Sequence, residues 1–500
     1  MRYSILSILL IALTSVASAN RPNILFISVD DMNCDSVGVY GNPLRDTTPH
    51  IDRLAAEGLR FEYAHVMVGN CFPGRNVMFT GRSSHSNLVE GFYPIPQPHY
   101  PHLVDLMKEG GYFTGIFGKV NHSTPYTPYP WDLILGTNSK EKHHIKDANS
   151  YYLTTAEGIS AANETGKPFC LLINVSDPHL PFYGWSRRQQ IEDPYLPSRL
   201  YSPQEVPVPG YLPDTPKVRR ELAHYYMSVR RADDCVGESL RALNDSGQAN
   251  QTIVIFLSDH GMPFPFAKTC LYHHSTRTPW IIRWPKQIKP GTHDTQHMIS
   301  ALDLLPTLLD IAKINHPRGL EGRSFYPLLK GQQQPEREFV VKEYNESSAR
   351  RRHPMRAIQT KRFNYIFNPW AVGGRRFQAA AQGTLSYREL VATAQTDPVW
   401  AKRLAQFETR TVEEFFDIKN DPDNLHNLID RPEWQEEIAA HRALLDQWMK
   451  RTKDPVYAAF QNRLDSDYLD GYVEAIQSEA FRRGQVAKHR KQNEPPSSSR

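Results

Sequence analysis

Cysteine is scarce in this 500-residue chain: Cys34, Cys71, Cys170, Cys235 and Cys270, odd in number and widely scattered. No disulfide framework of the sort that staples small secreted domains can be built from that set. Cys170, inside Phe169-Cys-Leu-Leu-Ile173, reads as a small core hydrophobe. An excess of one charge is also missing, with 58 Lys+Arg against 54 Asp+Glu. A general nucleic-acid-binding surface is thereby excluded, and any recognition of anions has to be local. After the N terminus no apolar run reaches the roughly 18–20 residues of a membrane span, which excludes stable membrane insertion. Internal repeats are absent.

What is present begins with Met1–Ala19: one positive charge, a short apolar run and the small-residue ending Ala17-Ser-Ala19, the pattern of a cleaved signal peptide. The chain is therefore expected to be exported, to a periplasmic or extracellular destination, or a lysosomal one in a eukaryote. Asn-X-Ser/Thr triplets occur at Asn121, Asn163, Asn174, Asn244, Asn250 and Asn345 and stay unassigned. Three nearly continuous apolar runs, 23–30, 169–176 and 252–258, read as strands buried on both faces. Helical patterns lie between and after them: Pro49–Glu57, His102–Glu109, about 217–243 and Ser300–Lys313. Strands alternating with helices imply an α/β domain over 20–335 with a mostly parallel sheet. From about 335 the pattern shifts to short strands at 339–342, 355–359 and 363–367 and a helix around 432–450. We read 336–480 as a smaller α+β subdomain and 481–500 as a disordered basic tail.

Ligands of such sheets bind beyond the carboxyl ends of strands. Asp30-Asp31, Asp177 with His179, and Asp259-His260 all fall there. Two adjacent carboxylates at a strand end repel unless a cation offsets them, and hard oxygen ligands suit Ca²⁺ or Mg²⁺; a helix-capping turn is the alternative. Arg75 follows Cys71 by four residues, on the same side of a helix starting near Pro73, where a helix N-terminus favours an anion. Lys119 and His122 end another strand. The segment 345–356 carries Arg350, Arg351, Arg352, His353 and Arg356. It reads either as a grip on acidic sugar groups or as a solvated loop.

The motifs Arg21-Pro-Asn-Ile-Leu-Phe-Ile-Ser-Val-Asp-Asp31, Cys71-Phe-Pro-Gly-Arg75, Gly118-Lys119, Asp177-Pro-His179 and Ser258-Asp-His-Gly261 stand in the order seen in type I sulfatases. The resemblance spans about 21–450. It implies an alkaline phosphatase-like sulfatase fold: a large mostly parallel sheet flanked by helices, plus a smaller C-terminal α+β subdomain. It implies that Cys71 is converted to formylglycine by a formylglycine-generating enzyme and that the hydrated aldehyde attacks sulfur. It further implies Ca²⁺ held by Asp30, Asp31, Asp259, His260 and the oxygen at residue 71. Arg75 would stabilise the hydrate, Lys119 and Lys268 bind sulfate oxygens, His122 assist at residue 71, and His179 protonate the leaving group. The substrate would be a sulfated saccharide, and a homodimer stays open. The stretches 207–216, 261–272 and 354–359 resemble the sulfamidase branch, which acts on the N-sulfoglucosamine of heparan. Three departures stand out: Gly74 where most of the family has Ser, and His260 and Lys268 where sulfamidase has Asn and Arg. O-sulfate hydrolysis on another sulfated glycan, phosphoester hydrolysis and sulfoglycan binding by a dead site are the competing readings.

Overall fold

The computed structural model describes residues 21–137, 143–187 and 189–493. The expected signal peptide lies outside the described residues. Strand β1 (Asn23–Asp30) is buried along its whole length. Ile24 and Phe26 enter one core, and Leu25, Ile27 and Val29 enter another on the opposite face. Successive strand side chains point to opposite faces, so a strand covered on both needs an unbroken apolar run.

β1 pairs in parallel with β8 (Thr252–Ser258) on one side and β5 (Phe169–Pro178) on the other. The parallel run continues through β3 (Phe113–Phe117) to β4 (Leu133–Ile134). On the far flank β9 (Trp280–Arg283) is antiparallel to β8 and to β2 (Leu59–His65), and β2 pairs in parallel with β10 (Thr292–Ser300). The sheet order is therefore β10-β2-β9-β8-β1-β5-β3-β4. The helices Pro49–Ala56, Ala148–Thr165 and Pro216–Asp245 bury residues in the core that takes Leu25, Ile27 and Val29, and Leu103–Glu109 and Leu304–Ala312 in the core that takes Ile24 and Phe26. A short hairpin of β6 (Trp185–Ser186) and β7 (Gln189–Gln190) follows β5.

A second sheet is antiparallel, with strands β11 (Phe339–Glu346), β12 (Arg352–Thr360), β13 (Phe363–Phe367) and β14 (Glu413–Asp417) in that order. β11 and β12 run further toward their shared hairpin than the sequence suggested, because polar residues such as Glu343, Arg352 and Arg356 are buried there in ion pairs. The disordered basic tail expected from 481 is corrected: a helix spans Ser466–Asn493. Ala480 is fully buried, Arg351 lies over the Phe481 ring, and Arg483 pairs with Glu346 and with Glu479 one turn earlier. Those contacts, including an i,i+4 ion pair, hold a segment whose composition alone argued for disorder. Residues 494–500 lie outside the described residues.

Candidate active site

Because β8, β1, β5 and β3 are adjacent and parallel, their carboxyl ends share one edge of the sheet. Asp259-His260, Asp30-Asp31, Asp177 with His179, and Lys119 lie at those four ends in turn. Asp31 has φ of 70° and Lys119 has φ of 51°. Both strand ends thus turn through the left-handed region, sharply enough to keep their side chains at the edge. Asp30, Asp31, Asp259 and His260 are all buried and offer ligand atoms within 4.8 Å of one another. Asp30, Cys71 and His260 form a second such group.

The helix Cys71–Thr80 opens onto this edge, two residues earlier than expected. Its start is fixed by Asn70, whose side chain accepts the Cys71 N–H at 3.1 Å. Pro73 sits in the first turn, where its missing N–H has no intrahelical partner to lose. Arg75, one turn on, is completely buried. Its Nε donates to Asp259 at 3.0 Å, and its Nη1 donates to Ser28 Oγ and Asn174 Oδ1, both at 2.8 Å. Asp30 lies 4.0 Å from Nη2. Burial alone would lower the guanidinium pKa, but Asp259 and Asp30 carry it upward. One side chain thus ties β1, β5 and β8 together.

Ser28 and Asn174 escaped the sequence reading. Their signal was there: each is a lone polar residue inside an apolar run that had to be buried on both faces, and buried polar groups need partners. Zero exposure also removes Asn174 from the glycosylation candidates.

Three cations oppose the three carboxylates. Lys119 pairs with Asp30, and Lys268 Nζ lies 2.6 Å from Asp31 Oδ1. Burial would raise the Asp30 pKa, yet Lys119, His179 and Arg75 hold it well below the usual carboxylate range. Burial likewise works against the Lys268 ammonium, which Asp31 pushes upward. His260 Nδ1 donates to the Gly261 carbonyl at 2.9 Å and stands 3.2 Å from Asp31. Its burial is outweighed chiefly by Asp259, and the imidazole rises to about 9. Cys71 lies in the field of Arg75, Lys119 and Lys268.

His179 Nδ1 is held by the Leu180 carbonyl at 2.6 Å, which leaves Nε2 as the nitrogen able to exchange a proton. Burial lowers its pKa, with Asp31 and Asp30 opposing. A network missed by the sequence reading fixes its turn: Asp177 accepts from Arg231 and Lys146, and Lys146 also donates to the His179 carbonyl at 2.8 Å. The His122 ring stands 5.4 Å from that of Phe72, and burial pushes its pKa down to about 4. The arginine segment does not act as a unit. Arg356 is buried against Asp454 and Glu343, and Arg352 against Glu90. Arg351, Arg352 and His353 line a separate cavity of about 470 Å³ with Arg375 and Arg376.

Asp30 Oδ1, Asp31 Oδ2 and His260 Nε2 are buried without a hydrogen-bond partner. Orphaned buried atoms of that kind cost on the order of 1–3 kcal/mol each. Oxygen-rich donors left unsatisfied in one small space fit a hard cation such as Ca²⁺.

An acid-rich edge of a mostly parallel sheet, faced by lysines and a buried arginine around a helix-start cysteine, defines a hydrolase of the alkaline phosphatase-like fold. The chain belongs to the sulfatase family: residues 22–314 match Sulfatase, and 259–370 match "N-sulphoglucosamine sulphohydrolase, C-terminal". It is a sulfuric ester hydrolase. It is 30% identical to the N-sulphoglucosamine sulphohydrolase of Homo sapiens, over 89% of this chain and 93% of that one. An ulvan-active sulfatase of Formosa agariphila is 27% identical, over 88% of this chain and 77% of its own length. Among solved structures, one in complex with its substrate D-glucosamine-2-N,6-O-disulfate superposes with a TM-score of 0.63 at 20% identity, covering 87% of this chain and 99% of its own.

Proposed function

We propose that this protein removes sulfate from a sulfated glycan, with N-sulfoglucosamine the first substrate to test, by way of a formylglycine formed from Cys71. The observation that carries this reading is Cys71 itself, capped by Asn70 at a helix start and set among Arg75, Lys119, Lys268 and three carboxylates. Sulfur in a sulfate group is screened by negative oxygens, so attack needs charge compensation and a positioned nucleophile. Lys119 and Lys268 hold the sulfate oxygens, and Arg75 orients residue 71. As a hydroxyl oxygen of the hydrated residue 71 bonds to sulfur and passes its proton to His122, the bond from sulfur to the leaving nitrogen or oxygen breaks; that atom keeps the electron pair and takes the Nε2 proton of His179, which acts here as the imidazolium. His122 assists proton movement at residue 71. Asp30, Asp31, Asp259 and His260, with the oxygen at residue 71, would hold Ca²⁺, which when bound supplies Lewis-acid polarisation of sulfate.

Export to the periplasm or the extracellular space, with maturation by a formylglycine-generating enzyme, belongs to the same reading. No helix among the described residues is long and apolar enough to cross a membrane. The test is a panel of defined sulfated mono- and disaccharides, scored for sulfate release by protein coexpressed with a maturase, with residue 71 checked by peptide mass spectrometry. Release from N-sulfoglucosamine with residue 71 as aldehyde is expected. Converted protein that releases no sulfate from any panel member would sink the reading. One observation favours an O-sulfate substrate instead: Lys268 offers a single ammonium to Asp31 and to sulfate, where the sulfamidase arginine would offer a planar two-pronged fork. O-sulfated members of the panel decide between the two.

A further inference from the structure

The arginines between β11 and β12 have no part in the reacting centre, and two of them open onto the cavity of about 470 Å³ beside the second sheet. Its walls are Arg351 and Arg352 at the start of β12, Arg375 and Arg376 in the segment after β13, and the helix Ser466–Asn493. Every lining residue lies at position 351 or later, so none comes from the strand ends around Cys71. Four guanidinium groups line it with a single acid, Glu474, whose side chain is 71% exposed. His353 is held down to about 4 by burial, so its ring is neutral and the positive charge belongs to the arginines. Like charges gathered this way repel unless the fold pins them. Arg352 is pinned by Glu90 at 2.6 Å, Arg376 by Glu408 at 3.0 Å, and Arg375 by Asp470, whose carbonyl also accepts from it at 3.2 Å. None of those three acids lines the cavity, so each arginine is fixed from outside it. The Nε of Arg352 stays buried without a partner. Gln477 clamps the helix to the hairpin, accepting the Arg352 N–H at 2.9 Å and donating to the Arg350 carbonyl at 3.0 Å. Arg351 is exposed over the Phe481 ring and has no ion pair among the described residues.

With charge nearly balanced over the whole chain, 58 cationic against 54 acidic residues, such a concentration of guanidinium is a local device. The planar guanidinium fork matches the paired oxygens of a sulfate group better than an ammonium does. The volume falls within the roughly 300–1,000 Å³ of small-molecule pockets, enough for a sulfated sugar ring and more than a bare anion fills. We propose that this cavity is a non-catalytic anchoring site for a sulfate-bearing sugar unit, so that the protein holds a glycan chain at a second point remote from Cys71. The proposal rests on the sulfated-glycan reading above and extends it from the group removed to the chain that carries it. Two attachments on one chain reinforce each other through effective concentration, so long substrates gain from the cavity and single sugars do not.

Titration calorimetry on the full unconverted Cys71 protein separates this from catalysis. The probes are a heparan octasaccharide ending in N-sulfoglucosamine and, separately, sodium sulfate. The octasaccharide should bind the wild type, and the double variant Arg351→Ala/Arg376→Ala should weaken it about tenfold. Both side chains are exposed, so the variant keeps its fold, which an unchanged thermal midpoint checks. Arg53→Ala/Lys289→Ala removes the same two charges from exposed positions elsewhere and should alter octasaccharide binding less than about twofold. Sodium sulfate should bind at least about tenfold more weakly than the octasaccharide. In converted enzyme the cavity variant should lower kcat/KM on the octasaccharide about tenfold relative to kcat/KM on a single sulfated sugar. The proposal is overturned by an octasaccharide that does not bind, by binding that the cavity variant leaves unchanged, by an equal loss in Arg53→Ala/Lys289→Ala, or by free sulfate binding as tightly. Failure of the sulfatase reading looks different: cavity-dependent octasaccharide binding persists while converted wild-type protein releases no sulfate.

Discussion

Gly74 departs from the family's usual serine, and its surroundings give a reason. A Cβ at this position would lie 2.8 Å from the Val68 carbonyl oxygen, closer than any relaxed contact. Gly74→Ser should therefore cost about 1–3 kcal/mol, the usual range for overpacking, seen as a lower urea midpoint at unchanged slope. Arg75 presents the opposite case, a buried charge whose partners are all in place. Arg75→Met leaves Asp259 and Asp30 without their guanidinium and should destabilise by about 3–5 kcal/mol, besides abolishing turnover. Arg75 was legible from its spacing to Cys71; its partners Ser28 and Asn174 were not. Spacing along a helix is local, whereas the register that brings β1 and β5 alongside spans 146 residues.

The ends of β8, β1 and β5 were readable because doubly buried strands leave an unbroken apolar signature that stops abruptly at acid, whereas β3 gives way to Gly118-Lys119. The turn after β5 was readable only as Asp177 and His179. What holds it comes from elsewhere: Lys146 precedes the helix Ala148–Thr165, and Arg231 lies mid-helix in Pro216–Asp245. Neither has a motif, since any long cationic side chain at the right depth would serve. Lys146→Met removes the bonds to Asp177 and to the His179 carbonyl and frees the turn. A loss in kcat of about 10–100-fold is expected, with KM within about threefold, because an error of an ångström in a proton donor costs about that much. Recovery in Lys146→Arg would separate the lost ammonium from general disruption. The helix Ser466–Asn493 was misread for a related reason: its stabilising partners, Glu346 and Arg351, belong to the β11–β12 hairpin.

Across the molecule, the two sheets are joined by a buried network between the segment after the helix Cys71–Thr80 and strand β11. His85 Nδ1 meets Glu343 at 2.8 Å, the Ser84 N–H donates to the same carboxylate, and Arg356 bridges Glu343 to Asp454. Burial would depress His85, but Glu343 raises it to about 9; burial would raise Glu343, but His85 and Arg356 bring it to about 2. The His85 contribution is complete below its ordinary 6.5 and fades as pH climbs through 9. The Glu343 contribution is complete above 4.5 and fades as pH falls toward 2. Stability from this pair should therefore be greatest between those ordinary values. His85→Gln should lower the thermal midpoint at pH 6 and flatten its decline between pH 7 and 10. The burial of the helix Cys71–Thr80 has a different consequence, for the order of events in the cell. Every residue of that helix is buried, and Cys71 is 3% exposed. On the formylglycine reading proposed above, an oxidising enzyme needs this segment before it folds, so conversion of Cys71 would precede burial of the helix. The helix is locked when Arg75 meets Asp259, 184 residues later. At synthesis rates of about 5–20 residues per second, that separation keeps the cysteine accessible for about 10–40 s. Catalytic yield is then decided by timing, and slower elongation should raise the aldehyde fraction measured by mass spectrometry.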